Sequence, residues 1–289
     1  MRAASGGKKL TICIAVKVHD CLVFAADSAS SMVTSDGNGH QAVMRVYNYG
    51  HKVFNLIRNK PISAMTCGLG NFGRMSVSRI AKEIRKEIMT GSAGIDVNSF
   101  TIEEVAKYCR GRFSDLFDAL PEPVHKSSSF SFFVGGYSTA GSGSELWKFQ
   151  FSPAGKTDPQ LLAGEENCTI EWDGQPDACS RLVLGISPAT MGVLVASGIS
   201  EQDARVLTQR LASASQAQIL EPSMPVQDAI DLAKFLAETT VSFVRFMPGA
   251  NTVGGDLDVA TVTKFEGFRW IKRKHYYPSS LNVEPSHVC

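Results

Sequence analysis

A threonine, an aspartate and a lysine stand near the start of this chain in an order that admits acyl-transfer chemistry: Thr11, then Asp27 sixteen residues on, then Lys52 in HKVFNLI. A threonine hydroxyl is a poor nucleophile until a nearby base takes its proton. With Thr11 as first residue, its own α-amine would be that base, since an α-amino group titrates at roughly 7.7 to 8.0 when unperturbed. An ammonium such as that of Lys52 disfavours further protonation of the amine and stabilises negative charge developing on the hydroxyl oxygen. Asp27 would hold the lysine and offset its buried charge. Each residue alone has a plainer reading: a β-branched strand opener, a strand-ending carboxylate, a solvated edge lysine. Together the three residue types would make one coherent machine.

The stretch that must bring Thr11 to Asp27 is TICIAVKVHDCLVFAADS, residues 11–28. Ile12, Ile14, Val16 and Val18 alternate with Thr11, Cys13, Ala15 and Lys17, the period of a strand with one face in a core. Residues 21–26 are almost wholly apolar. Folded as a hairpin, the two runs set the carboxylate beside the hydroxyl. Two registers are open. A two-residue turn at His19 and Asp20 pairs Asp27 with Ile12, whereas a three-residue loop over 18–20 pairs it with Thr11, and one residue of slip turns a side chain to the other face.

The Thr-to-Asp spacing, the apolar hairpin and the wording AADS at its end resemble proteasome β-type subunits. These are N-terminal-nucleophile hydrolases whose threonine becomes the first residue when a propeptide is removed, and a lysine in a following KV strand, here Lys52, completes their site. FVGGY, a glycine-rich turn and a strand worded LWKF resemble the family as well. The resemblance implies an α+β fold, the four-layer αββα sandwich, with residues 1–10 as a leader, 11–274 as one domain and 275–289 as a tail. It implies oxyanion donors at the backbone of Cys67 and Gly68 in MTCGLG, and a loose counterpart of a supporting serine in Ser187 of LGISP. It also implies stacked homo-oligomeric rings, polypeptide substrates and an ATP-driven unfoldase on a separate chain, because no GxxxxGK[ST] loop occurs. Leu10 stands where the family has glycine, and GANTVGG (249–255) offers Thr252 but no aspartate. These departures keep open a catalytically silent ring or scaffold subunit that retains its leader, and a hydrolase of small amides. As rival nucleophiles, Cys13 and Cys67 lack an adjacent histidine and lie in apolar strands.

Further along, residues 30–49 suggest an exposed loop with a short extended piece, and 51–57 with 61–67 a strand pair turning at 58–60. Helices are expected over 72–89 and 102–120, the second with a capping box from Thr101 and Glu104 and a stop at Pro121. Strands follow at 129–134 and 145–151, then a loop over 152–180 anchored by Trp172, and a short strand at 181–185. Two or three helices over 186–244 show apolar faces at Ala204, Leu207 and Leu211 and at Ala229, Leu232, Phe235 and Leu236. Strands at 257–265 and 268–273 complete the order.

Over 289 residues the chain is 44% hydrophobic and 20% charged, with a net charge of +1, the profile of a soluble globular protein without nucleic acid or an anionic membrane as main partner. There is no apolar run of the roughly 20 residues a bilayer span needs. The expected location is cytosolic, with neither metal nor organic cofactor. The seven cysteines show no CxxC pair, and Cys13, Cys21, Cys67 and Cys109 sit in apolar runs as buried thiols.

Overall fold

The alternating and continuous apolar runs of the chain become strands that bury both faces. A computed structural model describes residues 11–35, 41–248 and 253–274; the proposed leader, Thr252 and the tail lie outside them. In chain order the elements are β1 (Ile12–Lys17), β2 (Leu22–Ala26), β3 (Ser30–Ser35), β4 (Gln41–Tyr47), β5 (Val53–Asn55), β6 (Ile62–Gly68), β7 (Asn71–Phe72) and β8 (Met75–Ser76). Then come α1 (Val77–Met89), α2 (Ile102–Asp118), α3 (Glu122–Ser127), β9 (Phe130–Tyr137), β10 (Ser144–Ser152), β11 (Gly155–Lys156), β12 (Gln160–Ala163) and β13 (Thr169–Gly174). The chain continues through α4 (Asp177–Val183), α5 (Thr190–Ala196), α6 (Glu201–Ser215), α7 (Val226–Arg245), β14 (Asp258–Thr263) and β15 (Gly267–Lys272).

Two antiparallel sheets carry the molecule, one ordered β13-β1-β2-β14-β15 and the other β11-β10-β9-β6-β5. Three apolar cores surround them. Ile80 and Ile84 of α1 and Phe113 and Phe117 of α2 pack with Phe132 and Phe149 of the second sheet. Ile14 and Val16 of β1 pack with Ala233 and Leu236 of α7 and Cys179 of α4. Between the sheets, Cys13, Ala15 and Phe24 meet Met65, Phe133 and Leu146. Thus β1 is buried on both faces: Ile12, Ile14 and Val16 turn to the helices while Cys13 and Ala15 turn to the other sheet.

The β1–β2 hairpin takes the two-residue turn. Cys13 pairs with Ala26 and Lys17 with Leu22, Val18 N donates to Cys21 O at 3.0 Å, and Asp27 N donates to Ile12 O at 3.2 Å. The capping box at Thr101 and Glu104 is formed. Other expectations need correction. Within 30–49, expected as a loop, Ser30–Ser35 and Gln41–Tyr47 pair as antiparallel strands β3 and β4, a pairing that the Ser- and Gly-rich composition conceals. The first helix starts at Val77, not 72, because Ser76 caps it by accepting from Arg79 N and the preceding residues make the small β7–β8 pair.

The second helix stops at Asp118, and a further short helix, α3, follows with Pro121 as its N-cap and Pro123 in its first turn, where a missing N–H costs no helical bond. The region 152–180 is no loop: it holds β11, β12 and β13, the last pairing along β1 with Trp172 opposite Ile14. Thr169, Glu171 and Asp173 gave β13 a polar look in sequence. The strand expected at 181–185 is replaced by α4, in which Ala178, Cys179 and Val183 are buried at helical spacing. Of the face at Ala204, Leu207 and Leu211, Ala204 alone is buried; on α7, Phe235 is exposed while Ala229 and Leu236 are buried.

Candidate active site

Thr11 immediately precedes β1, and β13 holds it there: Gln175 N donates to the Thr11 carbonyl at 2.8 Å. The chain crosses so close that a Cβ on Gly174 would lie 1.9 Å from that carbonyl oxygen, and Gly174 has φ of +104°. Only glycine meets both demands. Asp27 follows β2 with its backbone still bonded opposite Ile12, and its carboxylate reaches diagonally to Thr11.

Thr11 Oγ1 donates to Asp27 Oδ1 at 2.6 Å. Lys52 precedes β5 in the other sheet and comes across the gap to meet both partners: its Nζ is 2.6 Å from Asp27 Oδ1 and donates to Thr11 Oγ1. The hydroxyl therefore sits between a carboxylate supplied by one sheet and an ammonium supplied by the other. All three are buried. Asp27 Oδ1 also accepts from Ile12 N at 3.1 Å, and its Oδ2 accepts from Ala29 N at 3.1 Å and Gly254 N at 3.0 Å. Such saturation is what makes a buried carboxylate tolerable, since an unpaired one costs several kcal/mol, on the order of 3 to 5.

Residues expected at the oxyanion are disposed unequally. Thr66 N donates to Lys52 O at 2.9 Å, so strand alternation turns the N–H of Gly68, two residues on, to the same edge of β6 and that of Cys67 toward β9. Gly68 has φ of +95°, and a Cβ there would lie 2.2 Å from Ser129 O. Cys67 is buried opposite Ser131. Ser187 is elsewhere in its bonding: its hydroxyl accepts from Arg181 and from Ala189 N, and it is not a partner of the trio. Cys13, the other thiol near the site, donates to Thr66 O at 3.0 Å.

No family model and no curated protein matches this chain. The chemistry of the site therefore stands on its own geometry.

Sequence reasoning missed one contributor and one neighbouring ion pair. In GANTVGG it looked for acidic and hydroxyl side chains, whereas Gly254 contributes a backbone N–H to Asp27. It also passed over Asp258 and Lys274, a fully buried carboxylate and a nearly buried ammonium 3.2 Å apart. A charge inside the apolar wording LDVATV was the available signal. Burial pushes the Asp258 pKa up, but the neighbouring His51 and Lys274 outweigh it and hold the carboxyl below its ordinary range. Burial lowers the Lys274 pKa, with Lys52 adding to the effect and Asp258 opposing it. Among the described residues, no group of three or more His, Cys, Asp or Glu is disposed to hold a metal ion, and no helix is long and apolar enough to cross a membrane.

Proposed function

We propose that the chain is a threonine-type endopeptidase of the N-terminal-nucleophile kind, built on the four-layer αββα plan and acting on polypeptides through an acyl-enzyme on Thr11. The observation that carries this reading is the Thr11 hydroxyl held between Asp27 and Lys52. The three cores, helices on sheet, sheet on sheet, and sheet on helices, support the plan.

In the chain as written Thr11 is joined to Leu10, so its nitrogen is an amide and no base. Cleavage between them would free the amine. The amine then takes the proton of Oγ1 as the oxygen attacks the substrate carbonyl. Lys52 stabilises the developing alkoxide, the Gly68 N–H faces the oxyanion, and Asp27 keeps the lysine in place. The leaving amine receives the proton, and water, deprotonated by the same α-amine, releases the acyl group. Stacked homo-oligomeric rings, with an ATP-driven unfoldase on another chain, would confine such a site in the cytoplasm.

A second reading, the silent scaffold that keeps its leader, draws support from Thr11 being only 3% exposed in the uncut chain. Intact mass with and without a peptide epoxyketone, which bonds to both the hydroxyl and the amine of an N-terminal threonine, separates the two. Loss of residues 1–10 with one adduct on Thr11 is the expected result. A full-length mass with no adduct would overturn the peptidase reading in favour of the scaffold.

A further inference from the structure

Beside the Thr11–Asp27–Lys52 contact lies a second buried cluster of charge. Asp258 opens β14 opposite Ala26 of β2, next to Asp27. Its Oδ2 has Lys274 Nζ at 3.2 Å and His51 Nδ1 at 3.6 Å, and its Oδ1 accepts the Lys274 backbone N–H at 3.2 Å. Lys274 Nζ donates to the Gly50 carbonyl at 2.8 Å. Gly50 N in turn donates to Ser28 O at 2.8 Å. The ion pair thus grips both residues that precede Lys52, and Gly50 is tied to the residue that follows Asp27.

Burying an ammonium and a carboxylate carries a desolvation penalty that an apolar pair of similar volume would avoid. A pair retained merely to fill space would be the poorer choice here. What the charges add is direction: hydrogen bonds to a named carbonyl and a named amide, which fix the approach of one short segment.

We propose that Asp258 and Lys274 are positioning residues for Lys52: their ion pair clamps residues 50–52 against the end of β2 and so fixes where the Lys52 ammonium meets Thr11 and Asp27. The proposal rests on the peptidase reading for its kinetic consequence, though not for its structural one. The charged groups facing Lys52 are Asp27 after β2 and Lys274 after β15, with Asp258 of β14 and His51 behind them. Removing one member of the outer pair leaves the other uncompensated, and the two losses act on the Thr11 amine with opposite sign. Asp258→Asn leaves a cation, which favours the neutral amine; Lys274→Met leaves an anion, which favours the protonated one.

The experiment has two arms. In the first, the pH dependence of Thr11 labelling by a peptide epoxyketone is followed for wild type, Asp258→Asn, Lys274→Met, Lys274→Arg and the neutral double variant. Both single losses should slow the plateau rate by about 10- to 100-fold, as expected for a displaced catalytic group. The acid limb should move to lower pH in Asp258→Asn and to higher pH in Lys274→Met. Lys274→Arg should restore most of the rate, while the double variant should regain the wild-type limb without the plateau. Equal losses with an unmoved limb and no rescue by arginine would overturn the proposal.

In the second arm, crystal structures of the same proteins report the distance from Lys52 Nζ to Asp27 Oδ1. It should lengthen in Lys274→Met and return in Lys274→Arg; an unchanged distance in every variant would overturn the clamp. An unlabelled wild type counts against the peptidase reading alone, because this second arm needs no activity.

Discussion

The two helical coverings of this molecule are assembled from different side chains. Helix α1 meets its sheet through Ile80, Ile84 and Ile88, and α2 meets it through rings: the Phe113 ring centre lies 4.7 Å from that of Phe130, 4.9 Å from Phe132 and 5.5 Å from Phe72. The two helices are also joined to each other, since Glu87 of α1 accepts from Arg112 Nε at 2.9 Å, from Arg112 NH2 at 2.8 Å and from the Tyr108 hydroxyl at 2.8 Å. Helix α7 meets its sheet through Ala229, Ala233 and Ala237 beside Ile230 and Leu236, and large groups turn outward, Phe235 at 51% exposure and, just past the helix end, Phe246 at 84%. Helix α5 buries no residue. Interlocking rings fix a helix by shape, whereas alanines let it approach closely and leave its identity to be written on the outside.

That contrast can be broken, in descending order of effect. Phe113→Ala removes the ring on which four others converge and should cost about 3 to 5 kcal/mol in denaturant unfolding; a loss below 1 would mean the ring cluster is not what holds α2. Ala233→Leu tests the other side, where close approach leaves no room, and should cost about 1 to 3 kcal/mol by overpacking. A neutral result there would show slack under α7.

The link between α1 and α2 gives a smaller effect with a pH signature. Burial raises the Glu87 pKa, but Arg112 and Tyr108 outweigh it and leave the carboxyl below its ordinary value. The unfolded chain therefore binds the proton first as pH falls, so this contribution is full above the ordinary carboxylate range and fades as pH drops through the folded value. Arg112→Leu should cost about 1 kcal/mol at neutral pH, and thermal melts of variant and wild type should converge in acid. Smallest of all, Leu211→Ser on the exposed face of α6 should change monomer stability by less than about 0.5 kcal/mol. Sedimentation velocity at the same time would show whether that face takes part in a ring: a shift to smaller species at unchanged stability sharpens the comparison.

Much of the first half was legible because its signals are local. The period of β1, the Thr101 and Glu104 box and the isoleucine spacing of α1 each follow from neighbours in sequence. So did the nearness of Thr11 to Asp27, which needed only a hairpin; that of Lys52, carried by a second sheet across the gap, came from the family resemblance and from no local signal. What escaped depends on distant partners. Strand β13 alternates polar residues and is a strand because β1 lies beside it. Helix α4 is seven residues long, too short for a period to declare itself. Gly254 acts through its backbone, which a search for side chains cannot see, and Asp258 acquires its meaning from Lys274 and His51, residues far from it or beyond its strand.

Because Thr11 and Lys52 are carried by different sheets, the reactive arrangement does not exist until both sheets have formed and closed on each other. A nascent or half-folded chain has the parts but not the assembly. In a peptidase this is a safeguard: the capacity to cut arrives only with the finished architecture.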